Sequence, residues 1–259
     1  MRTDPPLEQV IPAGEAGRVG WAAFALTAAS QVALGALDPA GAARVTVNSL
    51  TVAALALTST AFAAERWGWR RALAALAAVA SLTLAAEVVG VRTGWPFGRY
   101  AYSGALAPSL AGVPLLVPLA WFGLGLPASQ VAAELGGPLA ARVAAGAVAL
   151  TAWDLFLDPQ MLAEGYWRWA AAGPYRGVPL TNFAGWLLVG ALVMVAIEVV
   201  LPARSRRRGP GPLVVYTWTA GAEAFAFAFL FGDAVVALAG GLAMGALAAA
   251  AWSRRAGHG

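Results

Sequence analysis

Between Arg18 and Asp38 the chain runs for nineteen residues, Val19–Leu37, without a charge. A helix rises 1.5 Å per residue, so such a run is about long enough to cross the hydrocarbon core of a bilayer, which is about 30 Å thick. The pattern recurs in Val45–Ala64 and in Ala72–Val91, which carries Glu87 in its last turns. It recurs again at about Val113–Leu135, with Gln130 and Glu134 near its end, and at about Leu139–Leu157. Three more follow: about Asn182–Leu201 with Glu198, Leu213–Phe231 with Glu223, and Ala234–Trp252. In lipid every backbone N–H and C=O must find a partner inside the protein, which for runs of this length means helices. Soluble domains carry about 25% charged residues. Here 12% are charged and 60% hydrophobic, with a mean hydropathy of +0.69. The chain reads as an all-α, polytopic transmembrane helical bundle of about eight spans, or seven if the short turn Gly232–Asp233 fails to separate the last two.

Residues 1–18 are polar and lack the basic start, apolar core and cleavage site of a signal peptide. They read as an exposed tail before a single integral membrane domain, 19–253, with 254–259 as a C-terminal tail. The cluster Glu65, Arg66, Trp67, Trp69, Arg70 and Arg71 reads as a charged turn, and Arg204, Arg206, Arg207 and Arg208 with Gly209 and Pro210 as an exposed linker. Eight spans place both termini on one side, and that side holds twelve of the seventeen arginines. By the positive-inside rule both termini are expected to be cytoplasmic, in a multi-pass protein integral to the cytoplasmic membrane. The net charge of +4 follows from these topology signals and calls for no nucleic acid.

What is missing narrows the chemistry. There is no cysteine, every basic residue is arginine, and the single histidine, His258, lies in the C-terminal tail. A retinal Schiff base needs a lysine. Haem held by paired histidines and zinc held by histidine or cysteine are excluded in the same way. Carboxylates, amides, hydroxyls and aromatic rings remain.

Those groups concentrate between Leu150 and Trp186, which reads LTAWDLFLDPQMLAEGYWRWAAAGPYRGVPLTNFAGW. Asp154 and Asp158 are four residues apart and so share one helix face. Pro159 directly after them is expected to end the fifth helix, before a loop rich in Trp, Tyr, Gly and Pro. A similar loop, Gly94–Leu115, joins the third and fourth spans. Gly112-Val113-Pro114-Leu115 followed by Trp121 is echoed by Gly177-Val178-Pro179-Leu180 followed by Trp186. The hypothesis this motivates is two similarly built hairpins flanking one cavity, to which one brings Glu87 and the other the Asp pair. Loops found on opposite faces would end that idea. Ionisable groups inside a span cost roughly 2.5–3.5 kcal/mol at the bilayer centre, so each needs a reason. Glu134 and Glu198 read as interfacial carboxylates, whereas which of the others converge is left open.

A dry pocket of paired carboxyls can keep one protonated as a general acid while its neighbour accepts a proton or orients water. Aromatic faces stabilise a cation by about 0.5–2 kcal/mol each. Acid-initiated chemistry on an apolar alkene, through a carbocation, suits such a site. The motifs PFGRYAY from Pro96, LAGVPLLVPLAW from Leu110, LTAWDLFLDPQM from Leu150, and GYWRW then YRGVPLTNFAGW up to Trp186 resemble the membrane-integral carotenoid hydratases of the CruF type. The resemblance covers about Trp95 to Trp186. It implies addition of water to the terminal 1,2 double bond of an acyclic carotenoid end group, of the lycopene or gamma-carotene kind, without cofactor or metal. Its implied partners are a carotenoid, the lipid bilayer and, as a further expectation, other carotenoid-pathway enzymes. On this reading the catalytic candidates are Asp154, Asp158 and Glu87. Tyr100, Tyr102, Trp153, Trp167 and Trp169 are candidates for the aromatic wall and Asn182 for holding water. A membrane lycopene cyclase, a prenyltransferase and a noncatalytic transporter or pigment carrier stand as alternatives. Access of a pigment is expected laterally, from the bilayer.

Overall fold

The apolar runs are helices in the computed structural model, which describes residues 14–38, 41–202 and 209–257. The arginines Arg204, Arg206, Arg207 and Arg208, His258 and most of the N-terminal tail lie outside the described residues. In order the helices are α1 (Glu15–Leu34), α2 (Ala42–Trp67), α3 (Trp69–Thr93), α4 (Leu116–Leu135), α5 (Leu139–Ala163), α6 (Leu180–Val200), α7 (Gly211–Phe225) and α8 (Ala234–Ala256). Four short strands sit in the two long loops: β1 (Tyr100–Tyr102), β2 (Ser109–Leu110), β3 (Val113–Pro114) and β4 (Trp167–Trp169). Seven of the helical segments are long and apolar enough to cross a membrane, the seventh being α7 with its continuation to Leu230. The segment that falls short is α1, which includes Glu15, Arg18 and Gln31. The turn between the last two helices is present at Gly232–Asp233, where the Asp233 carboxylate caps α8 by accepting from the Val235 and Val236 N–H groups.

Two local expectations are corrected. The cluster Glu65–Arg71 is not a turn: α2 continues through Trp67 and α3 starts at Trp69. The reversal is made by Gly68 alone, at φ +83°, a backbone region open to glycine at little cost. Nor does α5 break at Pro159; it continues to Ala163. A proline inside a helix lacks the N–H that would bond the carbonyl four residues back, here that of Leu155. The Tyr175 hydroxyl donates to that carbonyl at 2.9 Å. The same device appears in α4, where Pro127 frees the Gly123 carbonyl and the Ser59 hydroxyl of α2 donates to it at 2.5 Å. Both helices continue through their proline, and in each a side chain from elsewhere replaces the missing donor.

The echoed segments are the same structure twice. Leu110 pairs with Val113 across Ala111 (φ +53°) and Gly112 (φ +88°). Tyr175 pairs with Val178 across Arg176 (φ +50°) and Gly177 (φ +90°). Two consecutive positive φ values are those of a type I′ turn, and Ala111 and Arg176 are the non-glycine residues of the described chain that adopt one. Each turn leads directly into a helix, α4 or α6. The two loops meet at one end of the bundle, where β1 and β4 pair antiparallel with Tyr100 opposite Trp169 and Tyr102 opposite Trp167. Ala101 and Arg168 are the central pair. Glu87 precedes Ala101 by as many residues as Asp154 precedes Arg168, so α3 and α5 each carry a carboxyl at the same distance along the chain from the paired strands.

Small residues let the helices approach. A Cβ added to Gly146 of α5 would lie 2.4 Å from the Met194 sulfur of α6, and one added to Gly240 of α8 would lie 2.5 Å from the Phe156 ring. Between membrane helices such close van der Waals contact replaces the hydrophobic drive available in water. At the loop end, Arg44 is buried and donates to the Leu34 carbonyl at 2.7 Å and to Glu164 at 2.7 Å. This ion pair ties the α1–α2 turn to the end of α5.

Candidate active site

Helix spacing, strand alternation and the β1–β4 pairing together assemble the site. On a strand, residues two apart point to the same side. Tyr100 with Tyr102 and Trp167 with Trp169 therefore cover one space from above. Their rings pack in register, Tyr100 to Trp169 at 5.1 Å and Tyr102 to Trp167 at 5.7 Å. Below them lies a cavity lined by Glu87, Asp158, Asn182 and Trp153 as well as these four aromatics. Eight of the nine expected site residues thus face one space. Asp154 does not line it: it is wholly buried behind Asp158.

The two carboxyl groups that α5 supplies form one unit. Asn182, in the first turn of α6, donates through its amide nitrogen to Asp154 Oδ2 at 2.7 Å and to Asp158 Oδ2. Trp167 Nε1 donates to Asp158 Oδ1 at 3.0 Å. One amide thus joins the two carboxyl groups. Two carboxyls joined by one amide in a dry interior cannot easily both ionise, so the pair is suited to keeping one proton. Asp154 Oδ1 meets no protein donor.

Glu87 is held differently. Its Oε2 accepts from the Tyr100 hydroxyl and from the Tyr102 hydroxyl at 2.8 Å, and its Oε1 accepts from Trp121 Nε1 at 3.2 Å. Three donors around one carboxyl match an ionised, acceptor-only group. Burial, and after it the Glu87 charge, pushes both tyrosine hydroxyls well above their ordinary range, so both remain donors. One side of the cavity therefore offers a carboxyl pair suited to keeping a proton, the other a carboxylate fixed by hydrogen bonds.

The remaining carboxylates separate cleanly. Glu198 is paired bidentately with Arg142 at 2.9 and 3.0 Å, and Glu134 with Arg255 at 3.0 Å. Glu223 lines the site cavity. Among the described residues no three His, Cys, Asp or Glu side chains gather as metal ligands.

Trp121 and Trp186 were not among the expected site residues, yet both line the cavity and their rings stack at 4.0 Å. Trp186 also meets Trp153 edge-on at 6.0 Å. The signal was available, because these are the tryptophans that follow the two GVPL segments at equal spacing. Tyr166, Asn48 and Gln160 complete the polar margin. No comparable signal marks Asn48, which lies on a distant helix.

A membrane helical bundle with a carboxyl- and aromatic-lined internal cavity is the class that fold and site define. Residues 42–251 match the family described as carotenoid biosynthesis protein, and the chain belongs to that family. It is also similar to the bisanhydrobacterioruberin hydratase of Haloarcula japonica, with 39% identity over 134 residues. That match covers 50% of this chain and 45% of the relative, so the matched part spans less than half of that protein's length. No solved structure matches. The family resemblance read from the motifs between Trp95 and Trp186 is borne out.

Proposed function

We propose that the chain hydrates the terminal 1,2 double bond of an acyclic carotenoid end group. The observation that carries this reading is the pairing, across one aromatic cavity, of an Asp154–Asp158 unit joined by Asn182 with a Glu87 carboxylate held by three donors. Asp158 faces the cavity and is the proton donor; Asp154, behind it, is a positioning residue that shares the proton. The Asp158 proton adds to C2 of the alkene, the π electrons form the new C–H bond, and C1 becomes a tertiary cation. Trp121, Trp153, Trp186 and the β1–β4 aromatics supply faces that stabilise it, each worth about 0.5–2 kcal/mol when desolvated. Water attacks C1 and loses its proton to Glu87 or back to Asp158, giving a tertiary alcohol and a net gain of one water. Trp169 Nε1, buried and without a protein partner, is a donor available to hold that water. General acid catalysis of this kind contributes about 10²–10⁴ in rate.

The test is expression in a lycopene-accumulating host, with and without oxygen-labelled water, followed by mass spectrometry of the pigments. A labelled product heavier by one water is expected, and its loss in Asp158→Asn. An unlabelled isomer of unchanged mass would instead make the chain a cyclase.

A further inference from the structure

A second cavity, of about 650 Å³, lies between α1, α7 and the π-helical turn Ala226–Leu230 that continues α7. It shares Gln31, Leu34, Gln160 and Glu223 with the site cavity, whose own volume is about 130 Å³, so the two cavities adjoin at these four residues. Polarity changes along it. The outer rim is Val32, Phe225, Leu230 and Phe231, which are 69%, 58%, 52% and 40% exposed. The shared neck carries two amides and a carboxyl. A π turn adds a residue to the helical repeat and is frequent at functional sites. Here it turns Phe227 inward, stacked on Phe156 at 5.7 Å, and leaves Phe225 and Phe231 lining the groove.

We propose that this groove binds the extended apolar body of a linear polyisoprenoid whose end group lies in the site cavity, and that the substrate arrives from the bilayer between α1 and α7. The proposal rests on the hydratase reading for the identity of its occupant. Three observations support it: contact with the site cavity through four shared residues, an exposed apolar rim, and two amides and a carboxyl gathered at the shared end. A chain too long for the site cavity needs such an extension, because its apolar body gains nothing from water.

Gly221 lines the groove, and a Cβ added there meets nothing within 4 Å. Gly221→Trp therefore fills the groove from α7, and Val32→Trp fills it from the opposite wall at an exposed position. Gly245→Trp is the control: Gly245 lies on α8 outside both cavities, and its added Cβ is equally unopposed. Each protein is reconstituted in phosphatidylcholine nanodiscs with lycopene, and bound pigment is read by absorbance and induced circular dichroism. Both groove variants should lower binding by about tenfold, equivalent to about 1.4 kcal/mol, with Gly245→Trp unchanged. Hydration of a short acyclic isoprenoid bearing the same end group should survive in both. Wild-type pigment binding in both groove variants would overturn the proposal and leave the groove to a lipid acyl chain, as would equal loss of short and long substrates or equal loss in the control. Labelled alcohol formed normally by the groove variants would reject the groove and keep the hydratase. Groove-dependent pigment binding without any alcohol would do the reverse.

Discussion

Removing the Tyr175 hydroxyl tests how α5 passes Pro159. Tyr175→Phe deletes the donor to the Leu155 carbonyl, at 2.9 Å, and changes little else in shape. Burial, and after it the Asp233 charge, pushes this hydroxyl up to about 12, so it donates throughout the neutral range. A typical hydrogen bond contributes about 0.5–1.5 kcal/mol net, and a buried acceptor left bare costs about 1–3 kcal/mol. Leu155 is only half-buried, so about 1–2 kcal/mol is expected, or a Tm lower by roughly 2–8 °C at about 2–4 °C per kcal/mol for a chain of this size. Pro159→Ala restores a backbone N–H aimed at the same carbonyl. In that background the tyrosine deletion should cost less than half as much, a coupling of at least about 0.5–1 kcal/mol. The assay is thermal unfolding of the four proteins of this double-mutant cycle in one detergent, followed by circular dichroism. Equal cost of Tyr175→Phe in both backgrounds would refute the idea that the hydroxyl substitutes for the proline's missing donor.

The same reasoning applies to α4: Ser59→Ala should cost about 1 kcal/mol, and Pro127→Ala should remove most of that cost in a parallel melting series. At the site, Asp158→Asn should lower labelled-alcohol formation by about 10²–10⁴, and Asp154→Asn by clearly less because Asp154 does not line the cavity; a larger loss at Asp154 would reverse their roles. Trp121→Leu and Trp186→Leu should each slow turnover by about tenfold, since about 1.4 kcal/mol of cation stabilisation is a factor of ten in rate; unchanged turnover would remove the stacked pair from the cation's surroundings. Asp233 holds Arg176 at 2.6 Å. Burial raises its pKa, but the Arg176 hydrogen bond and charge and the Val235 and Val236 N–H groups outweigh this and leave it below the ordinary value. A depressed aspartate stabilises above its unfolded pKa and loses that contribution as pH falls through the folded one, so acid sensitivity below about pH 4 should diminish in Asp233→Asn, measured by Tm against pH.

Helix number and approximate bounds were legible because lipid forces backbone hydrogen bonds to close within each apolar run, and length alone then marks a span. The shared face of Asp154 and Asp158 followed from a spacing of four, and the GVPL echo pointed to two similarly built hairpins, although the type I′ turns within them come from the structure. Three features were not legible. Pro159 does not end its helix, since the replacement donor Tyr175 comes from a loop whose fold depends on the rest of the bundle. Glu223 lines the cavity with Glu87 and Asp158, although nothing in its apolar run says that it converges with them. Asp158 faces the cavity and Asp154 stands behind it, a difference within one face of one helix. The physical reason is shared. In water an amphipathic stripe shows which side of a helix turns inward. In a bilayer the lipid and the protein interior are equally apolar, so α6 is apolar on every side and carries no such stripe. Which polar groups meet is then decided by the helix contacts and by the β1–β4 pairing that locks the two loops over one cavity.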